Sequence, residues 1–108
     1  MANAAVGEVD IELDGKTVTL KSTLAAAKRV NAAGGLRYIA ERLDAYDLDA
    51  YVAVVAAGAD RRNADVENVV FSAGMARLQV PLGVYISFLA SGGKPIEPPK
   101  DGAPAGEA

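Results

Sequence analysis

The chain has 108 residues and a formal net charge of −3, from 11 Lys and Arg against 14 Asp and Glu. Nucleic-acid-binding domains present a basic face to phosphate, so this acidic chain argues against that class. The sequence contains neither cysteine nor histidine. It therefore has no disulfide framework, no thiolate site and neither the commonest general base nor the commonest metal ligand. The length suits one domain with one modest core.

Neither a targeting segment nor a membrane span is expected from the sequence. The opening stretch, MANAAVGEVD, has no basic segment followed by an apolar run, which a signal peptide requires. Charges and glycines interrupt the longest apolar stretches well before they reach the length of a bilayer crossing. We therefore expect a soluble, cytosolic protein.

The clearest local pattern lies between Gly7 and Lys21, in GEVDIELDGKTVTLK. Asp14-Gly15 separates two runs that alternate apolar and polar residues, which predicts a β-hairpin with a two-residue turn. Such a turn would place Val9 opposite Leu20 and Ile11 opposite Val18 on one face, and Asp10 opposite Thr19 and Glu12 opposite Thr17 on the other. Because a two-stranded ribbon is marginal alone, we expect helices to cover its apolar face.

Four stretches after the hairpin repeat apolar residues at helical spacing. Their stripes are Leu24, Ala27 and Val30; Leu36, Ile39, Ala40 and Leu43; Leu48, Tyr51, Val52 and Val55; and Val66, Val69, Val70 and Ala73. Residues typical of N-caps precede three of these helices: Ser22 or Thr23, Asp47 or Asp49, and Asp65. Glycines that would end helices follow at Gly34-Gly35, Gly58 and Gly74.

A fifth stretch, from Pro81 to Leu89, is apolar nearly all round. Proline fits the first position of a helix better than its interior, so we expect this helix to begin at Pro81. The pattern assigns no structure to residues 75–80, and the β-branched residues leave a strand as the alternative. Leu82, Tyr85, Ile86 and Leu89 share one face, while Val84 and Phe88 lie on another. A helix that is apolar on every side is buried by its own domain or by a partner.

Residues 93–108 contain four of the five prolines and one large apolar residue, Ile96. This composition cannot bury enough apolar surface to offset the entropy of ordering, so we expect a disordered tail. The predicted fold class is α+β: an N-terminal antiparallel β-hairpin packed on a bundle of four to five short α-helices. These elements form a single domain over residues 7–92.

Few residues suggest a catalytic or metal site. Residues 10–15, DIELDG, match the opening of a calcium loop, but the twelfth position, where a bidentate Glu is needed, is Lys21. Arg61-Arg62 could hold a phosphate or an acidic partner, and a solvated loop is the simpler interpretation. The serines have no histidine to activate them. We expect no catalytic residue, no cofactor and no metal.

Surplus apolar surface is the more informative feature. Phe71 lies off the stripe of its helix, and Val84 and Phe88 lie off the stripe of theirs. These side chains either complete a core reached from two sides or form an exposed patch that binds another chain.

The order of these parts resembles a known family. The hairpin reads GEV-x-I-x-L-DGK-x-x-x-L and is followed by alanine-rich helices. Asp65-Val66-Glu67, Val70-Phe71 and Gly74 come next, and an F-L-x-x-G-G-K-P run occupies residues 88–95. Over residues 7–95 this arrangement resembles the small tail assembly chaperones of gene transfer agents and related siphophage prophages.

The resemblance implies a non-enzymatic protein that binds the apolar, helical tape measure protein until tail tube protein polymerises around it. It also implies a location in the cytoplasm of the host cell and absence from the mature particle. The partners are then the tape measure protein and the tail tube protein, without nucleic acid or membrane. A helix-in-groove mode of binding, with the last two helices supplying the surface, would use Val70, Phe71, Tyr85, Phe88 and Leu89 as contacts.

Two other functions remain to be weighed. A structural virion component, such as a head–tail connector or minor tail protein, also pairs small sheets with helices and has no active site. A DNA-binding regulator with a helix-turn-helix at residues 24–43 is disfavoured, because the acidic chain would oppose phosphate contacts. The open edges of the hairpin would also allow a homo-oligomer.

Overall fold

The computed structural model describes residues 2–95, so the expected disordered tail lies, from residue 96 onward, outside the described residues. A short 3-10 helix at Ala4–Val6 precedes the strands β1 (Val9–Leu13) and β2 (Lys16–Leu20). The helices that follow are α1 (Leu24–Ala32), α2 (Leu36–Asp44), α3 (Leu48–Ala59), α4 (Asn63–Ala73) and α5 (Met75–Ala90). The predicted α+β architecture of a hairpin followed by helices is confirmed.

The hairpin has the predicted register. β1 and β2 are antiparallel, with Val9 opposite Leu20, Asp10 opposite Thr19, Ile11 opposite Val18, Glu12 opposite Thr17 and Leu13 opposite Lys16. The turn residues have positive φ angles, 54° at Asp14 and 75° at Gly15. Both values are required by a type I′ turn, which is why Asp-Gly is favoured at these positions. The buried face of the hairpin consists of Ile11, Leu13 and Leu20.

Helix α3 is the central element of the core. From Ala50 to Gly58, every residue except Ala53 is buried. The helix contacts α1, α2, α4, α5 and β2. Its small residues allow these neighbours to approach closely: a Cβ added at Gly58 would lie 2.9 Å from the Cβ of Leu20. The alanine-rich sequence therefore forms a helix that other elements enclose on several sides.

Helices α1 and α2 each pack one apolar face against the core, and on α1 this face differs from the predicted one at Leu24. In α2 the predicted stripe is confirmed, since Ile39 and Leu43 are buried. In α1 the buried residues are Ala26 and Val30, whereas Leu24, predicted to be part of the stripe, is 76% exposed. Leu24 is the first residue of α1 and lies about 200° around the helix from Ala26, so it points away from the core.

Helix α4 begins earlier than predicted. Asp65 is not the N-cap: the cap position is Arg62 and the helix starts at Asn63. The carboxylate of Asp65, in the first turn, accepts hydrogen bonds of 3.2 and 3.0 Å from the guanidinium of Arg62. A carboxylate in this position also interacts favourably with the positive end of the helix dipole. The predicted stripe is confirmed at Val66 and Val70, which are buried.

Helix α5 also begins earlier, at Met75, so the prediction that Pro81 opens the helix was wrong. Pro81 lies inside the helix, where proline costs about 3 kcal/mol. The extra turns bury Leu78, which contributes roughly 1.5–3 kcal/mol of hydrophobic stabilisation. Gly74, with a φ of 94°, provides the sharp break from α4 that allows α5 to start at once.

Arg29 of α1 forms hydrogen bonds with the C-terminal end of α3 and the loop that follows it. Its guanidinium donates hydrogen bonds to the carbonyl oxygens of Ala56, at 3.2 Å, and Arg61, at 2.7 Å. It also donates to the side-chain oxygen of Asn63 at 3.3 Å. These acceptors include carbonyls at the C-terminal end of α3, where a cation is favourable.

The segment after α5 returns to the base of the hairpin. The Ser22 hydroxyl donates a 2.6 Å hydrogen bond to the carbonyl of Gly7. A Cβ added at Gly93 would lie 2.6 Å from the carbonyl oxygen of Ser22, and one added at Gly7 would overlap the Gly93 carbonyl. Glycine is therefore required at both positions, where three segments of backbone meet.

Among the helices within residues 2–95, none has both the length and the hydropathy needed to cross a membrane.

Candidate functional site

The five contact residues predicted from the sequence do not form one exposed surface. Val70 and Tyr85 have no exposed area, and Phe88 and Leu89 are buried as well. Val70 lies on the inward stripe of α4, and the Tyr85 hydroxyl donates a 2.6 Å hydrogen bond to the carbonyl of Lys21. These four residues are therefore core residues in this structure. Phe71 differs from them, with 67% of its surface exposed.

From Leu78 onward helix α5 presents an uncharged face to solvent, and this face borders Arg77, which is exposed and lies three residues before Val80. Val80 is 72% and Val84 42% exposed, and residues four apart lie on the same side of a helix. Ala76 and Ser87, on the same side, are exposed too. From Leu78 to Gly93 the sequence has no charged residue. We call the surface formed by Ala76, Val80, Val84 and Ser87 the outer face of α5. Its four side chains are small and uncharged, and three of them are apolar.

Sequence reasoning assigned Val84 to an off-stripe position but missed Val80. The reason is local: Val80 lies immediately before Pro81, in the stretch 75–80 to which the pattern assigned no structure. Once α5 is extended back to Met75, the spacing of Val80 and Val84 identifies the outer face directly. The presence of Pro81 concealed this signal.

A groove of about 760 Å³ lies between β1 and the junction of α4 and α5. On the hairpin side, Asp10, Glu12 and Asp14 line it. On the helical side, the lining residues include Arg77, Leu78 and Pro81. Three acidic residues and one basic residue thus line the groove, which carries net negative charge.

Hydrogen bonds from β2 and the N-terminal segment hold two of these carboxylates. Asp10 accepts from the Thr19 hydroxyl at 2.6 Å and from the N–H of Ala2 at 3.0 Å. These bonds, that from Thr19 first, lower the pKa of Asp10 from its usual 3.8. Glu12 accepts from the Thr17 hydroxyl at 2.7 Å. Cross-strand bonds of this kind orient the acidic side chains along the outer surface of the ribbon.

The other candidates from the sequence have structural roles. Asp47 caps α3 by accepting from the N–H of Asp49 at 3.0 Å and pairs with Arg42 at 3.0 Å. The bond from Arg42 is the main cause of the lowered pKa of Asp47. Arg62 is bound to Asp65. Within the described part of the chain, no three His, Cys, Asp or Glu side chains form a group that could hold a metal ion.

Comparisons of this chain with protein-family models, with curated proteins and with solved structures find no match. Functional inference therefore rests on two surfaces: the outer face of α5 with the separate exposed Phe71, and the acidic groove beside β1.

Proposed function

We propose that this protein is a non-enzymatic tail assembly chaperone of a gene transfer agent or related prophage, which binds the apolar, helical tape measure protein. The proposal combines the sequence resemblance over residues 7–95 with one observation, the outer face of α5, which carries no charge from Leu78 to the end of the helix. A client helix that is apolar along one side needs such a surface, because a charged side chain left unpaired in the interface would oppose binding.

The outer face of α5 suits a helix rather than a small ligand. Val80 and Val84 lie one turn apart, and small side chains at Ala76 and Ser87 flank them. Small residues let a second helix approach closely, while the two valines supply apolar area to be buried. This assignment replaces the buried residues Val70, Tyr85, Phe88 and Leu89 with Val80 and Val84 as contacts.

Phe71 is a second contact in this proposal. It is the most exposed aromatic side chain of residues 2–95. Exposed aromatic residues are frequent anchors of protein–protein interfaces, because they bury a large area at little entropic cost. Phe71 lies on α4, three residues before Gly74.

The experiment is co-expression with the tape measure protein encoded nearest to this chain's gene, followed by affinity capture. The test variants are Val80→Lys with Val84→Lys, and separately Phe71→Asp. The matched control is Leu24→Lys, which places a charge at an equally exposed apolar site on α1. We expect the α5 double variant and Phe71→Asp to lose tape measure protein from the captured complex, and the α1 variant to retain it.

Thermal unfolding of each variant separates loss of binding from loss of folding. Folded variants that capture as much tape measure protein as the wild type would remove these residues from the interface. Recovery of the protein in purified, washed particles, at a fixed number of copies, would instead favour the structural virion component.

A further inference from the structure

The second surface, the groove beside β1, has the features of a strand-accepting site. In a hairpin with a two-residue turn, the residues that flank the turn form a hydrogen-bonded pair, and every second pair thereafter does the same. Here these pairs are Leu13 with Lys16, Ile11 with Val18, and Val9 with Leu20. The N–H and C=O groups of Asp10 and Glu12 therefore point away from β2.

These outward groups of β1 have no hydrogen-bond partner among the backbone and side-chain bonds found within residues 2–95. Asp10 and Glu12 are also two of the residues that line the groove. An edge strand with free ladder groups is a template for a further strand. The groove thus opens on two donors and two acceptors at the spacing of a β-ladder.

The helical wall gives the groove a second side. Leu78 and Pro81 of α5 lie opposite the β1 edge across the groove. Pro81 has no N–H to donate to the carbonyl of Arg77, one turn earlier, so that carbonyl lacks its usual partner in the helix. An extended segment in the groove would lie between a strand edge and a helix, the arrangement used by proteins that bind peptides by strand addition.

The charged residues that line the groove indicate which kind of segment would bind there. Asp10, Glu12 and Asp14 line the groove against one cation, Arg77. Opposite charges on directly facing residues stabilise a strand pair, whereas like charges destabilise it. The groove therefore favours a segment with Lys or Arg at alternate positions. Residues 96–108 of this chain contain one Lys against Asp101, Glu97 and Glu107, which makes the chain's own C-terminal segment a poor occupant.

We propose that the β1 edge accepts an extended, lysine- or arginine-bearing segment of a partner protein as a third, antiparallel strand, in the groove formed with α4 and α5. This site is distinct from the outer face of α5 and does not depend on the function proposed above. Two lysines of the segment, two residues apart, would face Asp10 and Glu12, and the residue between them would contact Leu78.

The probe is a synthetic peptide, acetyl-Thr-Val-Lys-Val-Lys-Val-Thr-amide, added to the full chain labelled with ¹⁵N. Hydrogen exchange measured by NMR is the readout. In the free protein we expect fast exchange at the amides of Asp10 and Glu12 and protection at Ile11 and Leu13. Saturating peptide should slow exchange at Asp10 and Glu12 by about tenfold or more, as for a formed ladder bond.

Two peptide controls separate ladder pairing from charge. Methylation of the backbone nitrogens of both lysines removes the donors that face β1 and should abolish the protection. Methylation of the central valine nitrogen, which points away from β1, should leave it intact. Replacement of both lysines by Glu should also abolish binding. Protection that survives methylation of the lysine nitrogens would overturn the proposal.

Two protein variants test the charge. Glu12→Lys should weaken peptide affinity by about tenfold. Glu67→Lys makes the same charge change at an exposed position of α4 outside the groove, and should leave affinity within about twofold. Unaltered protection at Ile11 in each variant shows that the hairpin still forms. Equal effects of the two substitutions would contradict a specific site.

Two other occupants give different results in the absence of peptide. If a second copy fills the groove, sedimentation will show self-association that Glu12→Lys abolishes. If the chain's own C-terminal segment fills it, Asp10 and Glu12 will already be protected, and removal of residues 96–108 will speed their exchange. Either result would overturn the proposal of a partner segment.

Discussion

The hydroxyl of Tyr85 donates a 2.6 Å hydrogen bond to the backbone carbonyl of Lys21, 64 residues earlier in the chain. Tyr85 has no exposed surface, so this bond joins the middle of α5 to the end of β2 inside the protein. Lys21 in turn donates its N–H to the carbonyl of Gly58 at 3.0 Å. The hairpin, α3 and α5 therefore meet at one residue, Lys21.

Tyr85→Phe should lower the free energy of unfolding by about 1–2 kcal/mol, because the Lys21 carbonyl loses its partner while the ring still fills its space. Urea unfolding at pH 7 followed by circular dichroism measures the change. A variant as stable as the wild type would mean that water or another donor satisfies this carbonyl.

The same residue predicts a loss of stability at high pH. Burial raises the pKa of Tyr85 from 10.0 to about 12. An unfolded tyrosine ionises near 10, so the stabilisation is fully present below pH 10 and is lost as the pH rises toward 12. The melting temperature of the wild type should therefore decrease as the pH is raised from 10 to 12. The melting temperature of Tyr85→Phe should decrease less over the same range. Parallel declines for both proteins would assign the effect to other groups.

Two helical glycines should respond oppositely to the same substitution. A Cβ at Gly58 would lie 2.9 Å from the Cβ of Leu20 and 3.1 Å from the Tyr85 ring, whereas at Gly83 nothing lies within 4 Å. Gly58→Ala should destabilise by about 1–3 kcal/mol through overpacking. Gly83→Ala should stabilise by about 1 kcal/mol through helix propensity. Denaturant unfolding of the two variants tests both signs, and stabilisation at Gly58 would show that Leu20 can move aside.

Arg29→Met should destabilise the junction of α1 and α3. The substitution keeps much of the aliphatic stem but removes the hydrogen bonds to Ala56, Arg61 and Asn63. We expect a loss of about 1–2 kcal/mol, mainly from the part-buried bond to Ala56, because the bonds to Arg61 and Asn63 are exposed. Lys28→Met is the control, because Lys28 is exposed and a change there should stay within about 0.5 kcal/mol.

Two substitutions of Asp47 should separate its contribution as the N-cap of α3 from its contribution as the ion-pair partner of Arg42. Asp47→Ala removes both the α3 cap and the pair with Arg42, whereas Asp47→Asn keeps an N-cap residue. We expect melting temperature at pH 7 to decrease in the order wild type, Asn variant, Ala variant. The pKa of Asp47 lies below 3.8, so its stabilisation is present above that pH and is lost as the pH falls below it. The melting temperatures of the wild type and the Asn variant should accordingly converge in acid. If their difference stays the same there, the charge of Asp47 does not stabilise the protein.

The hairpin could be predicted from the sequence because its determinants are local. The turn residues Asp14 and Gly15 and the alternation on either side fix one register, and a shift by one residue would expose the apolar face. The stripes of α2, α3 and α4 were predicted for the same reason. The start of α5 was not, because residues 75–80 become helical through tertiary packing, including the burial of Leu78, and the local preference of Pro81 does not encode that packing.

Tertiary packing also explains why some of the residues predicted to form an exposed patch are buried and others are exposed. Helical spacing shows which residues share a face but not how many faces are covered. Phe88 was placed off the stripe of its helix and is buried, whereas Phe71 and Val84, also off their stripes, are exposed. The difference comes from where α4 and α5 lie in the packed domain, which the spacing along one helix does not encode.

The meeting of Gly7, Ser22 and Gly93 has a practical consequence for protein engineering. Since the described domain enters and leaves at the same corner, a short linker could join the two ends without crossing the surface of the protein. New termini could then be opened at Gly34-Gly35, between α1 and α2, where the backbone is at least partly exposed. Such a rearranged chain would keep every helix and strand uncut and would place both new ends in the loop between α1 and α2.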